Sequence, residues 1–305
     1  MPIVLAAPYT SPGDEIGLGL PRRMTWTGVD GVVWQLTRPG AINPRMGRGV
    51  KGLHMPPMTV FSSSTPLVPG IDLTGYALPE RPVYWPLIFR ASSADEWMQD
   101  HGAFFDSFHP IDPGTWTVGE GEDARTLQLT GTFDGSYSFT NDPFVTGLAL
   151  IGLELTAPRP LWRGKPIQQT FGSAEGEDFI PEGGGPPFHI SDVATFSSAT
   201  IDNPGNEPAY LTWTVHGPAA AEEVQLGVTG AVIEVPFEVP DGSTLVIDTD
   251  PAGQYATLDG VDVTRELGFQ MFAPVPAGGD SPLTIAASTT ASVIAELVPL
   301  YWRAF

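Results

Sequence analysis

Four sets of residues in this chain have types and spacings that chemistry could use. Histidines stand at positions 54, 101, 109, 189 and 216. They form no His-Glu-x-x-His or His-x-His set, so no spacing puts two imidazoles on one face for zinc. Gly47-Arg-Gly-Val-Lys-Gly52 has the letters of a dinucleotide fingerprint. That motif works by bringing a pyrophosphate onto a helix N-terminus within a βαβ unit. Here Pro56-Pro57 forbids a following helix, and no βαβ pattern surrounds it. Glu222/Glu223 and Asp248/Asp250 could serve as glycosidase carboxylates or calcium ligands. Asp248-Thr-Asp250-Pro251 lacks the glycine and terminal glutamate of an EF-hand loop. Aspartates so placed bond their own backbone in turns. There is no Gly-x-Ser-x-Gly elbow. Cysteine is absent, which removes disulfides and thiolate ligands. The sequence thus assigns no catalytic residue, no metal ligand and no cofactor site.

The elements that would position any site are mostly strands. Met24, Trp26 and Gly28, then Val32-Val-Trp-Gln-Leu36, read as a hairpin with Asp30-Gly31 at its turn. Residues 39–57 are punctuated by Gly and Pro and read as a long exposed loop. Thr59–Ser63 is short and extended. Arg81–Arg90 is strongly β, but Pro82 and Pro86 confine it to an edge or to strand ends. One good helix follows at 92–108. Ser92-Ser-Ala-Asp-Glu96 offers a serine cap and acids in the first turn. Trp97, His101, Phe104 and Phe108 then recur at helical period, a stripe suited to covering a sheet. Strands are expected at 116–118, 126–133 and 145–156. Residues 172–187, with Glu182-Gly-Gly-Gly-Pro-Pro187, read as linker or long loop. Strands at 209–216, 223–229, 231–239, 243–248, 254–258, 267–272, 282–287 and 292–302 then follow at sandwich spacing.

Composition agrees with two β-rich domains. The chain has 305 residues, 42% hydrophobic, with 35 Gly and 32 Pro. Its net charge is −21. That argues against non-specific nucleic-acid binding and against anionic membranes, both of which need Lys and Arg. Residues 1–165 hold 12 basic and 16 acidic residues, whereas 166–305 hold 2 basic and 19 acidic. The break supports a boundary near 165. Met1-Pro-Ile-Val-Leu-Ala-Ala7 has no basic n-region and is not expected to be a signal peptide. No apolar run is long enough to span a bilayer, so membrane insertion is not expected.

Ordered pieces of the whole chain resemble the distal tail proteins of long-tailed, non-contractile phages, the minor tail proteins of actinobacterial phages in particular. Trp34-Gln-Leu-Thr37 leads to a glycine-rich loop ending Gly52-Leu53, and Pro69-Gly70 precedes Arg81-Pro-Val-Tyr-Trp-Pro-Leu87. One helix follows, then a hairpin, the strand Leu148–Thr156 and Pro160-Leu-Trp162. The second half carries Ile201-Asp-Asn-Pro-Gly205, Ala209-Tyr210, Gly217-Pro218, Ile247-Asp-Thr-Asp-Pro251 and Pro276-Ala-Gly278. Ala157-Pro158-Arg159-Pro160 departs from the family's more usual Asp-Pro pair. The resemblance implies a mainly β chain: a tail-tube-like β-sandwich with one α-helix over 1–165, then a galectin-like β-sandwich over 166–305. It implies a virion protein without enzymatic activity, assembled in the host cytoplasm. It also implies a ring, usually hexameric, at the tail tip. The ring's partners would be the tail tube, the tape measure and the baseplate or tail-fibre proteins.

Two other functions stay open on the residues. The galectin-like fold that the resemblance implies leaves open a carbohydrate-binding module contacting the host surface through the second domain; the chain's eight tryptophans could form a sugar platform, but Trp34, Trp97 and Trp213 fall on alternating or helical positions where core burial is the default. An enzyme acting on cell-wall polysaccharide is disfavoured because nothing nominates an acid/base pair. For the structural reading, the candidate contact surface is the loop at 39–57. It carries Arg45, Arg48 and Lys51 in a chain poor in cations, together with Met46, Met55 and Met58. Methionine adapts to a partner surface, and a loop of this length is usually functional or disordered. The charge asymmetry leads to a further expectation, that the first domain builds the ring and the second projects outward.

Overall fold

The computed structural model describes residues 22–37, 43–67, 69–131, 142–172, 193–195 (backbone only), 199–288 and 290–305. The N-terminal Met1–Ala7, most of the 172–187 linker, His189, residues 39–42 and the end of the 126–133 strand lie outside them. The chain divides into two compact units. One runs to Trp162 and takes back Trp302–Phe305; the other is Arg163–Tyr301. The sequence reading places these last four residues in the second domain, whereas they cluster with the first unit.

In the first unit, β1 (Met24–Thr27) pairs with β2 (Val33–Gln35), Trp26 opposite Trp34. Gly31 takes the turn with a φ of 79°. The short β3 (Arg45–Met46) is followed by β4 (Thr59–Ser63) and β5 (Asp72–Ala77). Then come β6 (Arg81–Arg90), helix α1 (Ala94–Asp106), β7 (Gly114–Val118), β8 (Arg125–Gly131), the helical turn α2 (Pro143–Thr146), β9 (Leu148–Ala157) and the two-residue β10 (Trp162–Arg163). The main sheet of this unit has the order β2-β1-β7-β8-β9-β6-β3.

Strand β6 alternates cleanly: Arg81, Val83, Trp85, Leu87 and Phe89 are buried, and the even positions face outward. It pairs along its whole length with β9. Tyr84 turns its N–H and C=O to the other side, where both meet Lys51. Pro82 and Pro86 share that parity, so two donors are missing from that side. Pairing there is accordingly intermittent: Arg45–Met46 against Ile88–Leu87, Gly47 to the Pro86 carbonyl, and Lys51 with Tyr84. So β6 is not the edge strand its prolines led to expect: β3 lies outside it and Pro86 sits mid-strand, tolerated because the pairing on that side is intermittent.

The expected helix forms over Ala94–Asp106. Ser93 caps it, its hydroxyl accepting from the Glu96 N–H, while the Glu96 carboxylate accepts from the Ser92 N–H. The Ser92 hydroxyl donates to the same carboxylate, and that bond, with the one from the Ser92 N–H, holds the Glu96 carboxyl below the usual range. Trp97 and Phe104 are buried, as is Phe108 just past the helix end. Phe104 stands edge-on to Trp34, Phe89 and Phe108. Phe108 stacks on Trp26 at 4.5 Å, and Trp85 meets Trp26 and Trp116 edge-on. Gly114 is required beneath this cluster, because a Cβ there would run into the Trp26 ring.

The second unit holds β11 (Ile167–Gly172), β12 (Val193–Thr195), β13 (Thr200–Asn203), β14 (Leu211–His216), β15 (Gln225–Val228), β16 (Ala231–Glu234), β17 (Thr244–Asp248), β18 (Tyr255–Leu258), β19 (Val261–Asp262), β20 (Gly279–Ser288) and β21 (Ser292–Leu297). One sheet runs β11-β21-β14-β17-β18-β19 and the other β12-β20-β15-β16, with β13 also on β20. A single apolar core joins them, with Trp213, Val215, Leu245, Ile247, Ile285 and Val293 among its members. Residues 267–272 are not the expected strand. A helical turn at Thr264–Leu267 sinks Leu267 into the core, and irregular chain follows. Conversely, Thr200–Asn203 is a strand that its Asn-Pro-Gly turn signal concealed.

Candidate interaction surface

The expected contact loop has more structure of its own than its composition suggested. Beyond its pairing with β6, Met46 donates to the Leu36 carbonyl, and the Asn43 side chain bridges Arg90 and Asp100. Arg45, Arg48, Lys51, Met55 and Met58 are exposed, whereas Met46 is half-buried. The Lys51 ammonium lies over the Tyr84 ring at 5.8 Å. The fingerprint-like glycines therefore belong to a strand-edge segment, with no helix after them.

Gly52 closes that segment at a φ of 102°, where a Cβ would strike Val83. Its carbonyl accepts from Arg81 and from the Trp162 indole. Arg81 is 1% exposed. Its guanidinium donates to four carbonyls: Pro160 at 2.6 Å, Gly52 at 2.7 Å, His54 at 2.5 Å and Trp302 at 2.8 Å. Burial lowers it to about 10, so it is charged at neutral pH. Four carbonyl dipoles, rather than a carboxylate, balance this charge. They tie the end of the contact segment, the chain after β9 and the returning C-terminus to one residue.

Between Met55 and Arg81, sequence reasoning finds the extended Thr59–Ser63 but misses its partner strand and the exposed arm the two form. Among the described residues, strands β4 and β5 pair only with each other, Val60 opposite Tyr76 and Phe61 opposite Gly75. Every residue of both strands is exposed, including Val60, Tyr76, Phe61 (51%) and Leu73 (70%). Leu67 and Ile71, in the stretch between the strands, are exposed too. An isolated two-stranded hairpin is marginal in water, and a contiguous exposed apolar patch marks an interaction site. The available signal was the β-branched and aromatic content of 59–61 and 71–76. With neither face buried in its own chain, no apolar–polar alternation drew attention to it.

The residues weighed for chemistry are engaged in architecture. Asp248 accepts from the Asp250 N–H and Asp250 from the Ala252 N–H, each at 2.9 Å, as expected of turn aspartates. Glu223 accepts from the Ala220 N–H. His101 stacks on Trp97 at 4.6 Å and lies beside Phe105, and burial lowers its pKa. Trp213 is in the second unit's core, where it offers no face to a sugar. Among the described residues, no group of three or more His, Asp or Glu is placed to hold a metal.

No family model and no curated protein matches the chain in sequence. Solved structures do match its fold. The chain is similar to the SPP1 Dit protein, described as a paradigm of the hub adsorption apparatus in phages infecting Gram-positive bacteria. The TM-score is 0.62 at 12% identity, over 92% of this chain and 99% of that one. It is also similar to a chain of the phage P2 baseplate in its activated conformation with calcium, at a TM-score of 0.53 and 11% identity, covering 90% of this chain and 97% of that one. The same baseplate with strontium gives 0.50 and 12%, covering 90% and 98%. Across nearly its whole length, the chain has the β-rich, two-domain fold of the phage tail hub proteins.

Proposed function

We propose that this protein is a structural component of a phage tail, forming a homo-oligomeric ring at the tail tip that joins the tail tube to the baseplate or tail-fibre proteins. The exposed β4–β5 arm carries this reading. It is a two-stranded ribbon exposed along both strands, and among the described residues no other strand pairs with it; its apolar side chains suit the surface of another molecule. A second copy carries both the arm and such a surface. The Arg45, Arg48, Lys51 and Met55 surface is the second contact in this reading, pairing its cations with acidic residues of a neighbouring subunit or of the adjoining tail ring. The hub fold, matched over nine-tenths of the chain, supports the tail assignment, and a hexamer is the expected stoichiometry. The protein acts by shape and contact rather than by catalysis. Native mass measurement of the purified full chain tests this: a closed oligomer is expected, and a monomer at high concentration would overturn it.

A further inference from the structure

An open groove of about 440 Å³ lies on the outer face of β6 and β9, lined by Lys51, Pro82, Tyr84, Glu154 and Thr156 among others. We infer that this groove is the receptor for the β4–β5 arm of a neighbouring copy. The inference rests on the ring reading and names its contact.

Three observations lead to it. First, the groove sits at the root of the arm. Pro82, in its wall, is five residues from Ala77, where β5 ends. Strand β4 alone carries the arm roughly 16 Å from that root, at about 3.3 Å per residue. Both strands of the arm stay exposed beside this groove, so the groove is left open to another molecule. Second, the chemistry matches. The strands of the arm carry one charge, Asp72, together with the hydroxyl residues Ser62, Ser63 and Thr74. The groove offers the ammonium of Lys51 to that acid, the carboxylate of Glu154 to the hydroxyls, and the apolar faces of Pro82 and Tyr84 to Val60 and Phe61. Third, arm and groove are different surfaces of one chain. A contact between them is head-to-tail, the kind that closes into a ring when the rotation between copies allows it.

The absence of cysteine makes the test clean. Two populations of the full chain are prepared, one with Leu73→Cys in the arm and one with Glu154→Cys in the groove. They are mixed, dissociated and reassembled, and treated with a short bismaleimide. Covalent dimers joining the two populations are expected, with none when either population is treated alone under the same conditions. Rings that yield no mixed dimer would overturn the groove assignment while leaving the ring standing. A parent chain that never leaves the monomer would overturn both. A charge swap supplies the independent measurement. Lys51→Glu should weaken association about threefold per contact, the size of an exposed ion pair, and Asp72→Lys in the same chain should restore it. Failure of the second change to rescue the first would separate Lys51 from the arm.

Discussion

Replacing Arg81 by methionine keeps an unbranched apolar stem and removes the guanidinium. Pro160, His54 and Trp302 then lose the donor that reaches their carbonyls, while Gly52 keeps the Trp162 indole at 3.3 Å. A buried carbonyl stripped of its partner costs about 1–3 kcal/mol. Three of them set a gross loss of several kcal/mol. Against this, the folded state no longer buries a charge, a relief that often offsets much of such a loss. The net expectation is a destabilisation of about 2–4 kcal/mol, within the range for breaking a buried polar network. For a unit of this size, each kcal/mol moves Tm by roughly 2–4 °C, so the first unit should melt roughly 5–15 °C lower. Intrinsic fluorescence reports on that unit, because seven of the eight tryptophans lie in it. The C-terminus gives a local readout: the Ala304 N–H, donated to the Leu53 carbonyl, should exchange faster in the variant. Arg81→Lys should fall between parent and methionine, since an ammonium cannot reach four carbonyls in one plane. A melting point within about a degree of the parent's, a shift worth less than ~0.5 kcal/mol, with unchanged exchange at Ala304, would refute the view that Arg81 ties the C-terminus into the first unit.

Three further outcomes follow from the same packing. Phe104→Ala should cost about 3–5 kcal/mol in chemical denaturation, as for a fully buried phenylalanine; a cost under about 0.5 kcal/mol would place the ring at the surface. Burial holds the His101 imidazole below its ordinary range. In the ordinary histidine range the unfolded chain takes up the proton before the folded one does, so stability falls as pH drops through that range; His101→Leu should flatten that part of the denaturation profile, and an identical profile would exclude the histidine as its cause. Reversing charge at Arg45 and Arg48 should weaken oligomerisation, more at low salt, where screening is least; rings of parental strength at every ionic strength would make that segment a spacer.

Much of the fold is legible where a residue's burial is decided within its own chain. The Trp97–Phe108 stripe and its serine cap announce a helix because one face packs on a sheet. The alternation of β6 is plain for the same reason, and its prolines foretell the intermittent pairing beside Tyr84. The arm is opaque because both of its faces are exposed, so its apolar residues follow no inward–outward period. The contact segment was read as loop because Gly and Pro dominate it. Its order comes from hydrogen bonds to β6, and backbone pairing leaves little trace in side-chain pattern. The return of Trp302–Phe305 rests on bonds from Arg81 to the Trp302 carbonyl, from Arg125 to the Arg303 carbonyl and from the Ala304 N–H to Leu53, all between residues far apart in the chain, which local sequence does not encode. Phe272 packs against the second core, yet its neighbours follow no strand alternation, because Gln270 hydrogen-bonds to the backbone of Glu234 instead.

The central claim is that the chain assembles with itself through the arm. The most direct measurement is native mass spectrometry with negative-stain imaging of two proteins side by side: the full chain, and the same chain with residues 60–76 replaced by a short Gly-Ser turn. The account predicts closed rings of one stoichiometry for the full chain and folded monomers, with an unchanged β-rich circular dichroism spectrum, for the armless one. Monomers from both proteins, or rings of the same stability from both, would contradict it.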